Sequence, residues 1–143
     1  MASPQKENGY TPIANEILEA VMRQRLGGTQ LRLILAVWRY TYGFGRRQHR
    51  LSEGFLARAV DAHPKQVSRE LRALVKKRML RVAGRDAASG AHILAFNKNY
   101  DEWEGADRLE QQERFVLYGS TFFNGRYRDY LEDEEAGAEE DWQ

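Results

Sequence analysis

His63-Pro-Lys-Gln-Val-Ser-Arg-Glu-Leu-Arg-Ala-Leu-Val-Lys-Lys77 is the stretch from which the fold can be read. At about 100° per residue it becomes a two-faced helix. Val67, Leu71, Leu74 and Val75 share one side, and Lys65, Arg69, Arg72 and Lys76 form a narrow row on the other. Pro64 suits the first turn, where its missing N–H leaves no bond unmade. Four cations in one row repel each other unless a partner neutralises them. Phosphates would do so, and Arg and Gln also match the hydrogen-bonding edges of bases. A solvated basic face on a surface helix is the plain alternative.

The flanks favour the first reading. Ser52 is a good N-cap for a short helix, Glu53 to Val60, with Phe55, Leu56, Ala59 and Val60 inward. Asp61-Ala62-His63 then makes a three-residue turn into the basic helix, which gives a helix-turn-helix whose second member is the groove-reading one. Downstream, Met79–Ala83 reads as a strand, Gly84–Gly90 as a polar loop and Ala91–Phe96 as the returning strand. The expected class is therefore mainly α with a small β-hairpin (α+β), a winged helix-turn-helix. Arg81, Arg85 and His92 lie on or near the wing.

Upstream, Pro12 opens a helix with Thr11 as N-cap, and Ile13, Ile17, Ala20 and Val21 form its inner face. Gly27-Gly28 ends it, and Thr29 caps a second helix from Gln30 to about Tyr40. This helix is apolar nearly all round except at Arg32 and Arg39, so it belongs in the middle of a small core with Trp38 buried. Arg46-Arg-Gln-His-Arg50 follows as a basic loop, open to reading as a linker or as a phosphate contact through Arg46, Arg47 and Arg50.

Net charge sharpens the picture only when the chain is divided. The whole sequence carries +1, but residues 1–99 carry +11 and residues 100–143 carry −10. Such asymmetry points to a nucleic-acid-binding body with an acidic tail. The chain of 143 residues divides into a flexible arm (1–11), the winged-helix domain (12–103), an aromatic extension (104–131) and a disordered acidic tail (132–143). Within the extension, Asn124-Gly125 is a hairpin signal between Phe115–Phe123 and Arg126–Leu131. It either covers the domain's flank or docks another protein through Phe122, Phe123, Tyr127 and Tyr130, with Trp142 a further anchor.

Several classes drop out. With no cysteine there is no disulfide, thiolate zinc site or cysteine nucleophile, which fits a reducing cytoplasm. His49, His63 and His92 lack metal-ligand spacing. There is no glycine-rich phosphate loop and no paired-carboxylate setting in the folded body, so neither cofactor, metal nor enzymatic activity is expected. No apolar run reaches the ~18 residues of a membrane span, and the N-terminus has no hydrophobic signal core.

Three further segments carry a family likeness. Glu7-Asn-Gly-Tyr-Thr-Pro-Ile-Ala-Asn-Glu-Ile-Leu-Glu-Ala20, Arg39-Tyr-Thr-Tyr-Gly43 and Phe96-Asn-Lys-Asn-Tyr-Asp-Glu-Trp103 resemble the N-terminal domain of bacteriophage replication protein O, the lambda-type origin-binding initiator. Gly28-Thr29 and the segment Val67–Leu74 are similar to that family too, so the likeness covers about residues 7–103. It implies a winged-helix domain that binds repeated double-stranded sites at a phage origin as a homodimer, in the cytoplasm of a bacterial host. Carried over residue by residue, Lys65, Gln66, Ser68, Arg69 and Arg72 of the reading helix face DNA, and Lys76 extends their row. Two features depart from the family. Gly45-Arg-Arg-Gln-His-Arg50 is this chain's own variant, and about 40 acidic and aromatic residues stand where the family's helicase-recruiting half would follow. The second feature keeps open a small phage interaction protein that docks on or inhibits a host complex. A winged-helix transcriptional regulator would share the same DNA geometry.

Overall fold

The computed structural model describes residues 1–104, and Met1–Glu104 forms one compact unit. The expected anchors Phe122, Phe123, Tyr127, Tyr130 and Trp142, with the aromatic extension from residue 105 and the acidic tail, lie outside the described residues. Four α-helices and three strands follow in the order α1 (Asn15–Met22), α2 (Gly28–Tyr40), β1 (Gln48–Arg50), α3 (Glu53–Val60), α4 (Pro64–Lys76), β2 (Leu80–Arg85) and β3 (His92–Phe96). The antiparallel sheet has the order β1-β3-β2. A helix-turn-helix followed by a hairpin, with a short strand ahead of it closing the sheet, is a winged helix.

Helix α2 is the central rod. Leu33, Ile34 and Val37 are fully buried, and Trp38 is 3% exposed with its ring edge-on to Phe96 at 5.3 Å. Burying such side chains stabilises the fold by about 1.5–3 kcal/mol each, so this rod dominates the core. The apolar sequence did not enclose it completely. Leu31 and Leu35, one turn apart, are 42% and 51% exposed beside Arg32 and Arg39.

Helix α3 is capped as its sequence predicts, with the Phe55 amide donating to Ser52 Oγ at 3.1 Å. Its inner face is Leu56, Ala57 and Val60, with Phe55 half-buried; Ala59, expected inside, is exposed. Asp61 adopts φ 52°, in the left-handed region. That residue reverses the chain tightly enough for α4 to start at Pro64.

Further expectations need correction. Helix α2 starts at Gly28 with Gly27 as its N-cap, not at Gln30 with Thr29 as cap. Helix α1 starts at Asn15 with Ala14 as its N-cap, not at Pro12 with Thr11 as cap. Ala14 takes the extended N-cap conformation (φ −60°, ψ 138°) in place of Thr11. Thr11 lies beside Gly43 instead: a Cβ on Gly43 would come within 2.8 Å of Thr11 Oγ1, so a larger residue there requires the Thr11 side chain to shift. The basic loop at 46–50 is partly a strand, since Gln48–Arg50 pairs with Ile93–Ala95 of β3. The first wing strand also runs on to Arg85 through a register shift between Val82 and Gly84. A glycine inside a strand often marks such a bulge.

The closing motif locks the domain shut. Trp103 is 2% exposed, its indole Nε1 donates to Asn97 O at 2.8 Å, and its ring meets Phe96 edge-on at 5.6 Å. Asn97 Nδ2 donates to Arg78 O at 2.8 Å, and the Glu104 amide donates to Lys77 O at 2.8 Å. The exit from β3 is thereby tied to the turn that ends α4, where Arg78 is held at φ 63°.

Candidate nucleic-acid interface

Helix α4 carries the densest exposed charge. His63 Nδ1 accepts from the Lys65 amide at 3.1 Å, and Pro64 occupies the first helical position, so the helix starts cleanly. Val67 and Leu74 are fully buried and Leu71 nearly so, which fixes the rotation of the helix. Lys65, Arg69, Arg72 and Lys76 then stand exposed on the opposite side. Residues three and four apart on a helix are neighbours, so these cations repel one another by about 0.2–0.5 kcal/mol per pair. Glu70, the sole carboxylate of α4, relieves this little. It meets Arg69 Nε at 3.3 Å, while its other oxygen accepts from Gln30 Nε2 at 2.8 Å.

That second bond belongs to a brace that the sequence does not announce. Lys77 Nζ donates to Gln30 Oε1 at 3.2 Å, and Gln66 Nε2 donates to Thr29 Oγ1 at 3.0 Å. Gln66, Glu70 and Lys77 lie on one flank of α4 and pin it to the N-terminal turn of α2. Gln66, expected to face DNA, is half-buried with its amide nitrogen engaged inside the domain. Ser68 is also half-buried, and its carbonyl accepts from Arg72 Nε at 3.3 Å.

The other predicted basic residues fall in two places, neither on α4. Arg46, Arg50 and Arg85 line a cleft of about 740 Å³ with His49 and His92, between the wing and the start of α3, and no α4 residue lines it. Arg46 is half-buried; its Nε donates to Tyr40 O at 3.1 Å and its guanidinium lies 4.8 Å from the Phe44 ring centre. Arg50 meets Asp86 at 3.4 Å across the wing turn. Hydrogen bonds from the Ser89 hydroxyl and amide, with a smaller contribution from Arg50, hold the Asp86 carboxyl below the usual carboxylate range. Partial burial, then Arg46 and Arg50, hold His49 below the ordinary imidazole value. Arg47 is exposed and lies by Tyr42 and Lys98 at a separate hollow. Among the described residues no His/Asp/Glu group is spaced to hold a metal, and no helix is long and apolar enough to cross a membrane.

The sequence profile of bacteriophage replication protein O matches residues 3–103. The chain belongs to that family. Among its relatives, the DNA replication protein gp18 of Salmonella phage P22 is 33% identical over 98 residues, covering 68% of this chain and 34% of that protein. Replication protein 15 of Enterobacteria phage phi80 is 33% identical over 73 residues, covering 51% and 24%. The likeness thus spans about a third or less of these curated replication proteins. Of solved structures, the adhesin competence repressor AdcR from Streptococcus pyogenes overlays with a TM-score of 0.39 at 17% identity, covering 90% of this chain and 91% of that one. The winged-helix fold follows from the element order and the sheet topology. In a member of the replication protein O family, the 96–103 motif has a structural task, since it builds the Trp103 lock. Sequence likeness identified the motif without giving its purpose.

Proposed function

We propose that this replication protein O family member binds double-stranded DNA sequence-specifically, at repeated sites of a phage replication origin. The observation that carries the reading is the exposed, almost uncompensated row Lys65, Arg69, Arg72 and Lys76 on the second helix of a helix-turn-helix. A helix of this kind enters the major groove, where Arg contacts guanine edges and Lys contacts phosphates. The brace from Gln30 and Thr29 keeps the row aimed outward. Arg47, Arg50 and Arg85 supply backbone contacts that set register without reading sequence. A homodimer reading two half-sites belongs to the proposal, and the exposed Leu31 and Leu35 edge of α2 is a surface able to support it. Sedimentation equilibrium that gives a monomer mass both with and without site DNA would remove the dimer.

The test is a salt titration of the full chain on origin-repeat and random duplexes. Each neutralised phosphate contributes a slope of about −0.9 in log K against log salt. Four to six neutralised phosphates therefore give a slope of roughly −4 to −5. We expect that slope together with a preference for the origin repeat of about 10³-fold or more. A flat salt response, or equal affinity for the two duplexes, defeats the reading.

A further inference from the structure

The cleft beside the wing contains a feature that duplex binding does not use. Phe44 is 56% exposed, although aromatic rings ordinarily contribute to a core. Cations hold it in place: Arg39 lies 4.9 Å and Arg46 4.8 Å from its ring centre. Tyr40 lies nearly parallel at 6.4 Å, and Phe55 meets Tyr40 edge-on at 4.8 Å. Tyr40, Phe44 and Phe55 all line the cleft, together with Arg46, Arg50 and Arg85. Glu53 is the only carboxylate among the lining residues.

An exposed aromatic ring in a concave wall that carries Arg46, Arg50 and Arg85 against Glu53 has a particular chemical use. Paired bases in a duplex present their edges, while their faces are hidden in the stack. Unpaired bases present faces, which stack on aromatic rings and on guanidinium planes, while nearby cations follow the phosphates. A clamp for duplex phosphates would need only the cations. We propose that this cleft is a binding groove for single-stranded DNA, in which bases stack on the Phe44–Arg46 platform and the backbone runs past Arg50 and Arg85. Arg50 and Arg85 serve a backbone in either mode, but Phe44 lies apart from the α4 row, so the two activities are separable by substitution at those positions. This goes beyond the duplex reading, although it suits a protein that works where a duplex is opened.

Fluorescence anisotropy of the full chain, with a labelled oligothymidylate and with an equal-length duplex, tests it. Stacking contributes about 1–3 kcal/mol per base, which is roughly 5- to 150-fold in affinity. We expect Phe44→Leu to weaken oligothymidylate binding about tenfold and to leave duplex affinity within twofold, while Phe44→Tyr, which keeps a ring, binds the oligonucleotide like the parent. The Arg69→Ala/Arg72→Ala pair should do the reverse, losing the duplex and keeping the single strand. Absent binding of the parent chain to oligothymidylate overturns the groove and leaves the duplex reading standing. Equal losses on both probes for Phe44→Leu, or equal behaviour of the Leu and Tyr variants, overturn it as well. Loss of duplex preference with single-strand binding retained overturns only the duplex reading.

Discussion

Replacing Arg69 and Arg72 together with alanine should weaken duplex binding at least thirtyfold while the domain still folds. Each well-placed arginine on a base edge is worth about 1–3 kcal/mol of discrimination, so two such losses remove roughly 2–6 kcal/mol. If either one binds phosphate instead, the salt slope falls by about 1 for each phosphate no longer neutralised, and all sequences weaken alike. Stability should change little. The Arg69 side chain is 70% exposed and its pairing with Glu70 is a surface contact, of a kind worth about 0–1 kcal/mol. Arg72 is exposed and holds its own helix through one 3.3 Å bond to Ser68 O. Removing two mutually repelling cations offsets part of that cost. Gel shifts on a cognate repeat, paired with thermal melting, check both halves. Unchanged affinity would place the groove-reading surface elsewhere.

The second large effect concerns stability. Trp103→Ala should destabilise the domain by about 3–5 kcal/mol, the range for truncating a buried aromatic. Small domains hold only about 5–15 kcal/mol in total. The melting temperature should therefore fall by on the order of 15 °C or more. Three interactions go at once: the edge-on packing on Phe96, that on Tyr100, and the indole bond to Asn97 O. Trp103→Phe keeps most of the packing and leaves the carbonyl without its donor, so it should lose much less. Denaturant unfolding of both variants separates packing from hydrogen bonding. Equal, small losses would mean that Trp103 does not lock the domain.

How much of this was legible depended on how local each cause is. Helix α4 was readable because its start signal, its period and its charge row all lie within fifteen consecutive residues. The Ser52 cap on α3 was readable for the same reason. Strand β1 was not: Gln48-His49-Arg50 has no apolar alternation and becomes a strand only because β3, more than forty residues later, offers its edge. The brace on α4 was hidden likewise, since Gln30 and Glu70 are forty positions apart and each reads as an ordinary polar surface residue. That brace is also why Gln66 looked like a base reader. The family likeness put it on the DNA face, and nothing local revealed Thr29 beside it. In α3, spacing alone could not choose between Ala57 and Ala59, which have identical side chains. Phe44 carries no local signal, because its exposure and its two guanidinium neighbours exist only in three dimensions.

The central claim is that the outer row of α4 lies in the major groove, and cleavage from a tethered reagent tests it most directly. The chain has no cysteine, so Lys65→Cys gives a single attachment point at the start of α4 for an iron–chelate cleavage reagent. The account predicts cuts confined to a few adjacent base pairs within each bound repeat, on both strands. A duplex that stays bound but is left uncut, or is cut evenly along its length, would contradict it.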